Sequence, residues 1–287
     1  MQEQFEAFSL KPQTENIRSL EEIAAEYRHV RSQWEKEAAC RELKRHVTNI
    51  DVFPVSRAVC LGIGTFDPPD GGWETKRRTF VQLMAFLTMV ECLEKKNGSK
   101  IECTFQEPIF TASDKKFIES LGHKVVETPG GFEHINTCTA LFGVHLYRPI
   151  YAKALEGDLP AIFVGTDLDV WDWVTFGKTE NDIVCTSNVK IMENTYSKRK
   201  FPQDASTTAF TSTSFYWRSS KEVMPQGQKS KGEPSLDWEK DSTPVETLKD
   251  RPDDDKQQLS KPKQYLSESH KSVETTSFPE TPSSKVQ

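Results

Sequence analysis

Long apolar runs are missing from this 287-residue chain, and none approaches the ~20 residues that a membrane-spanning helix needs. The opening Met1-Gln2-Glu3-Gln4 also lacks the basic-then-apolar order of a signal peptide. The expectation is a cytoplasmic or nuclear protein without membrane contact. A surplus of positive charge is missing too: the net charge is -6 with a pI near 5.7 and mixed signs throughout. That argues against a basic nucleic-acid platform or a polybasic lipid patch, so no direct nucleic-acid binding is expected. Cys40, Cys60, Cys92, Cys103, Cys138 and Cys185 never form Cys-x-x-Cys, which points away from a zinc site and from a disulfide framework. They read as reduced thiols. Hydrophobic residues are sparse at 36%, with a mean hydropathy of -0.62, so part of the chain is expected to stay outside any core.

What the sequence does contain is organised around Ala58-Val59-Cys60-Leu61-Gly62-Ile63-Gly64-Thr65-Phe66. Ala58 to Leu61 is a short apolar run, as expected of a strand buried on both faces of a parallel sheet. Gly62 and Gly64 then allow a sharp turn and leave backbone amides unobstructed by a Cβ. No third glycine follows at dinucleotide-site spacing, and Pro68-Pro69-Asp70-Gly71-Gly72 intervenes before the next helix. Two readings stand, a tight strand exit and the lining of a ligand site.

Residues 1–18 are polar and read as loose. Over 19–48 the pattern predicts one amphipathic helix: Ser19-Leu20-Glu21-Glu22 resembles a capping box, and Ile23, Tyr27, Val30, Trp34 and Ala38 recur at helical spacing. That stripe reads as packing on the domain edge in preference to a partner-binding face. Thr75 to Asn97 is a second helix, stopped by Gly98. A strand from Lys100 to Phe105 leads to Glu107. Ser113-Asp114 is read as the cap of a helix over Lys115 to Ser120, with Gly122 as its stop. Strands follow at His123 to Glu127, Thr137 to Leu146 and Ala161 to Gly165, with a helix from Pro149 to Leu155. Strands alternating with helices predict an α/β fold, a Rossmann-like, mainly parallel sheet with flanking helices. Phe210 to Trp217 is expected to return to the sheet as a strand that closes the domain. From 219 to 287 seven of the sixteen prolines sit among Ser, Lys, Asp and Glu, which predicts a disordered tail.

Parallel strands end on one edge, where ligands collect. The candidate ligand-binding residues are therefore Gly62, Gly64, Glu107, His145 and Asp167. Glu107 stands where nucleotide-binding α/β folds hold ribose hydroxyls, although a solvated charge at a strand end reads equally well. His145 reads first as structural, then as a ligand contact. A general-base role would need a positioned partner that the sequence does not supply. Asp167, Asp169 and Asp172 read as solvated acids at a strand exit in preference to a metal site. Neither a metal nor a catalytic residue is assigned.

Several motifs occur in a telling order: Gly62-Ile63-Gly64-Thr65, Gln82-Leu83, Glu107-Pro108-Ile109-Phe110, Leu121-Gly122, His145 with Ile150-Tyr151, and Phe210-Thr211-Ser212-Thr213-Ser214-Phe215-Tyr216-Trp217. Together, over residues 55–218, they resemble the sensitivity-to-red-light-reduced (SRR-like) domain, as a divergent, fungal-type member. The resemblance implies regulation: circadian and light-signal input in plants, and transcription or haem-biosynthesis control elsewhere, without an established reaction. The family pattern has Asp at Glu107, Met-Pro-His-Cys at Gly143-Val144-His145-Leu146 and Gly-Asn-Ser at Gly165-Thr166-Asp167. Without a cysteine beside His145, a thiolate-imidazole mechanism has no support.

Two classes of function follow. The first is a regulatory protein in signalling or gene-expression control that acts by binding protein partners. The second is a nucleotide- or S-adenosylmethionine-using enzyme with a methyltransferase-like fold, resting on Gly62, Gly64 and Glu107. The balance leans away from an enzyme, because no complete catalytic constellation is visible and a fold by itself licenses no activity.

Overall fold

The computed structural model of the protein describes residues 18–167, 180–203 and 207–220. The expected loose N-terminus except Arg18, almost all of the expected tail, and Asp169 and Asp172 lie outside these residues; Arg18 itself is not loose but tied to Phe66 and Asp67.

Helix α1 (Leu20–Trp34) starts as its sequence predicts: Ser19 Oγ accepts from Glu22 N at 3.2 Å, and Glu22 Oε2 accepts from Ser19 N at 2.7 Å. It does not run on to residue 48. The chain breaks at Glu35 to Glu37 and restarts as α2 (Ala38–Asn49). The break corrects a phase error. Continued straight from Trp34, the inner stripe would fall on Arg41 and Arg45. The turn instead places Ala39, Cys40, Leu43 and Val47 inward.

Among the described residues the sheet has seven strands: β1 (Arg57–Leu61), β2 (Glu102–Gln106), β3 (Lys124–Val125), β4 (Thr139–Gly143), β5 (Ile162–Thr166), β6 (Ser197–Lys200) and β7 (Thr213–Trp217), in the order β3-β2-β1-β4-β5-β7-β6. β1 to β5 pair in parallel, and β7 inserts antiparallel between β5 and β6. Phe210 to Trp217 thus supplies a strand, but an interior one, and the sheet closes on β6. That strand is short and basic, Ser-Lys-Arg-Lys, and carries none of the apolar signal that marks the buried strands.

Helix α3 (Trp73–Asn97) crosses from β1 to β2 and ends at Gly98 in the left-handed region, φ 67°. Its buried residues, from Thr79 to Leu93, surround the helix instead of forming one stripe. The reason is position, since α1 and α2 pack on the side of α3 away from the sheet. Helix α4 (Ala112–Ser120) completes that layer, and α5 (Arg148–Ala154) with α6 (Glu180–Thr195) covers the other face. The cap of α4 is Thr111, not Ser113-Asp114. Thr111 Oγ1 accepts from Asp114 N at 3.1 Å, and Asp114 Oδ2 accepts from Thr111 N at 2.9 Å. No helix among the described residues is long and apolar enough to cross a membrane.

Candidate site at the carboxyl edge of the sheet

Strand order reverses between β1, which leads to β2, and β4, which leads to β5. Beyond the carboxyl ends of such a pair lies the crevice where open α/β sheets take ligands. β1 ends at Gly62, φ 66°, whose N–H donates to Gln106 O at 3.0 Å. β4 ends at Gly143. A Cβ at Gly62 would lie 2.1 Å from Leu146 Cδ2, and one at Gly143 2.6 Å from Leu146 Cδ1. Leu146 therefore lies across both strand ends, against backbone that only glycine leaves bare.

Gly64, φ 87°, turns the chain again, and its N–H donates to Glu107 Oε2 at 2.7 Å. Glu107 Oε1 accepts from Ile109 N at 3.1 Å. Both oxygens of this buried carboxylate thus hold the protein's own loops. Burial raises the Glu107 pKa; the Gly64 and Ile109 amides pull it back, and Asp114 pushes it up.

Asp114 is fully buried and organises the loop after β1. Its Oδ2 accepts from Thr65 Oγ1 at 2.5 Å, and its Oδ1 from Phe66 N at 3.3 Å, in addition to the cap of α4. Burial raises its pKa against the pull of these donors. Arg18, just ahead of α1, fastens the same loop from outside: its N–H donates to Asp67 Oδ2 at 3.0 Å and its guanidinium to Phe66 O at 3.1 Å.

On the other side of the crevice, the buried Tyr151 hydroxyl donates to Gly143 O at 2.5 Å. It accepts from Thr166 N at 3.0 Å and lies 3.0 Å from Thr166 Oγ1. This single side chain ties the ends of β4 and β5 together. Burial raises its pKa, and the donors from Thr166 and Leu146 oppose that shift. His145, exposed at φ 56°, brings Nε2 within 2.7 Å of Thr211 O. A carbonyl only accepts, so Nε2 carries the proton. Asp167 N donates to Ser212 O at 2.7 Å. Its carboxylate accepts from Ser214 Oγ at 2.8 Å, Tyr216 OH at 3.1 Å and Lys198 Nζ at 2.8 Å.

The five sequence-derived residues thus share an edge but fall into three groups. Gly64 and Glu107 bond to each other, Gly62 lies beneath Leu146, and His145 and Asp167 both hold the Thr211-Ser212 turn that leads into β7. Sequence reasoning took Asp114 for part of a Ser113-Asp114 cap and passed over its hold on the loop after β1, and it passed over Leu146. The Thr-x-x-Asp pattern of a capping box at Thr111 was the available signal for the first, whereas Leu146 had none. Among the described residues, no group of three or more His, Cys, Asp or Glu is arranged to hold a metal ion.

The SRR1 domain model matches residues 40–217, more than half of the chain. The protein belongs to the SRR1 domain family. The matched part of this SRR1 domain takes in most of α2 and ends on the last residue of β7. Leu146, at the place where the family pattern has a cysteine, bridges the ends of β1 and β4 by packing. No curated protein matches the sequence. Among solved structures, the crystal structure of a putative O-methyltransferase from Klebsiella pneumoniae is similar over 75% of this chain and 95% of that chain, at 13% identity and a TM-score of 0.34. A likeness that distant carries no argument about activity.

The raised carboxyls of the SRR1 domain make a pH prediction. A carboxyl with a higher pKa folded than unfolded binds its proton more tightly in the folded state. Its contribution to stability is therefore fullest at acid pH and declines as pH rises from the ordinary carboxylate range through the raised value. Glu107→Gln removes that decline, at a roughly constant cost because the new amide NH2 faces a backbone donor. The variant is expected to gain on the parent as pH rises from about 4 to about 7, read from urea midpoints across that range. A pH-independent difference would show that the Glu107 carboxyl titrates alike folded and unfolded.

Proposed function

We propose that this SRR1-domain protein is a regulator in signalling or gene-expression control that acts in the cytoplasm or nucleus by binding protein partners, not by catalysis. The carrying observation is the engagement of the carboxyl edge with its own chain. Glu107, the group best placed to accept from a ribose, has both oxygens bonded to Gly64 and Ile109. Leu146 lies over Gly62, where a phosphate would need open amides. A ligand would have to displace these contacts before gaining its own, and each buried group left without a partner costs about 1–3 kcal/mol.

The competing reading is a nucleotide- or S-adenosylmethionine-using enzyme, favoured by the placement of Gly62, Gly64 and Glu107 at the ends of β1 and β2. Thermal unfolding of the full chain with ATP, NAD or S-adenosylmethionine separates the two. A ligand at about 100 times its dissociation constant stabilises by about 2.7 kcal/mol, which raises the midpoint by roughly 5–10 °C in a domain of this size. No shift is expected with any of the three. A saturable shift that Glu107→Ala removes would overturn the binding-only reading.

A further inference from the structure

Among the described residues, the outer edge of the sheet beyond β7 is β6, Ser197–Lys200, a basic strand in a chain of net charge -6. Just past its end, Phe201 N donates to Thr213 O at 2.9 Å, and the register pairs Lys200 with Ser214 and Arg199 with Phe215. Bonded and non-bonded pairs alternate in an antiparallel ladder. The N–H and C=O of Arg199 therefore face β7, and those of Lys200 point outward, along the edge.

Side chains alternate as well. Lys198 lies over the Tyr216 ring, 5.5 Å from its centroid, with Nζ on Asp167 and Glu193, and the exposed Lys200 shares that face. The exposed Arg199 takes the opposite face, 5.8 Å over the Trp217 ring. On α2, the buried His46 lies close enough to feel the Arg199 charge, and Arg45 is paired with Glu42 at 3.7 Å. The His46 pKa is lowered first by burial; Glu42 opposes, and Arg199 and Arg45 depress it further. Its Nδ1 is buried with no hydrogen-bond partner. Arg199 and Lys200 thus place one exposed cation on each face of the strand edge, whereas Lys198 is taken up by Asp167 and Glu193.

We infer that β6 is a docking edge for an acidic, extended segment of a partner protein, which adds to the sheet as a further strand. The outward main chain of Lys200 supplies the pairing, and carboxylates on the two faces of the segment meet Arg199 and Lys200. A second copy does not fit this edge, because β6 against β6 opposes like charges at close range. The same repulsion guards the edge against self-association, and it selects for a partner of opposite sign. The inference rests on the reading of the protein as one that acts by binding.

The test uses the full chain and two fluorescein-labelled, glutamate-rich peptides of equal charge, one with interspersed valines and one with prolines in their place. Anisotropy is expected to show saturable binding of the valine peptide and binding at least about tenfold weaker for the proline peptide, which cannot complete a ladder. Arg199→Glu and Lys200→Glu, both at exposed positions, are each expected to weaken the valine peptide by about tenfold or more. Hydrogen exchange of the unmodified chain provides a reading that does not depend on variants: the outward amides of Lys198 and Lys200 should slow when the valine peptide is added. Equal binding of the two peptides would leave charge attraction alone and overturn strand addition. So would a lack of binding, or slowing confined to other segments. If the peptides fail while ATP, NAD and S-adenosylmethionine give no thermal shift, only this edge is lost; a shift with one of them removes the underlying reading itself.

Discussion

Asp114→Ala is expected to destabilise the protein by about 3–5 kcal/mol, because it strands several buried neutral donors at roughly 1–3 kcal/mol each. The side chain has no exposure and accepts from Thr65 Oγ1, Phe66 N and Thr111 N. Alanine leaves these donors without their acceptor in a site that water does not reach, and it removes half of the α4 capping box. Neutralising the charge while keeping the shape does not rescue the site. Asp114→Asn retains one acceptor but turns an NH2 toward groups that already donate, so it should recover only a small part of the loss. Urea unfolding followed by tryptophan fluorescence reads both variants. A loss below about 1 kcal/mol for alanine would show that the loop after β1 is held by its apolar contacts alone.

Those apolar contacts are the subject of the second large effect. Phe66→Ala should cost about 3–5 kcal/mol, as large aromatic deletions in cores do. The fully buried ring sits 4.9 Å from Phe80, 6.0 Å from Phe110 and 5.1 Å from Phe117, centroid to centroid, and Phe117 meets Tyr27 at 5.3 Å. One side chain from the loop therefore joins α3, the β2–α4 loop, α4 and, through Phe117, α1. These rings come from four separate elements, so the cavity has no single flexible segment to collapse into. Phe66→Leu, which keeps most of the volume, should cost less than about 1.5 kcal/mol. A small loss for alanine would mean that the neighbouring rings close the gap. Asp114 Oδ1 also accepts from Phe66 N, so the two alanine substitutions act on one loop. Their combined cost is expected to fall short of the sum, because a loop already released by one change has less to lose from the other.

Both effects concern how the carboxyl edge is built, and they bear on function through the same residues. Asp114 and Phe66 hold the loop that carries Gly64, and Gly64 in turn donates to Glu107. A variant that loosens this loop without unfolding the sheet would free the Glu107 carboxylate. Repeating the ATP, NAD and S-adenosylmethionine titrations on Phe66→Leu would show whether self-engagement is what keeps the edge closed.

Features read correctly from the sequence are those whose physics is local. The capping box at Ser19 and Glu22 needs only residues three apart, and it appears as read. The apolar run at Ala58 to Leu61 can be satisfied only by burial on both faces, so it gives an interior parallel strand wherever its partners lie. Gly98 and Gly122 both occupy the left-handed region that ends a helix cheaply. The alternation of such segments was enough to give a mainly parallel α/β sheet, and the ordered motifs were enough to give the SRR1 family.

Other features depend on what the rest of the chain places alongside. The helix beginning at Ser19 looked continuous because Ala38 keeps the spacing, but only the surface of α3 decides that Leu43 and Val47, not Arg41 and Arg45, must face inward. β6 has no apolar residue to announce it and exists because β7 offers a ladder beside it. Whether Glu107 is a free carboxylate or an occupied one is likewise invisible in its neighbours along the chain. Gly64 lies 43 residues away, and the crossover through α3 brings its amide to the carboxylate. Local sequence thus set the elements and their capping, because backbone propensity and burial pattern act over a few residues. The closure of the carboxyl edge and the basic margin at β6 were decided by the sheet order, which brings together groups that the chain keeps far apart.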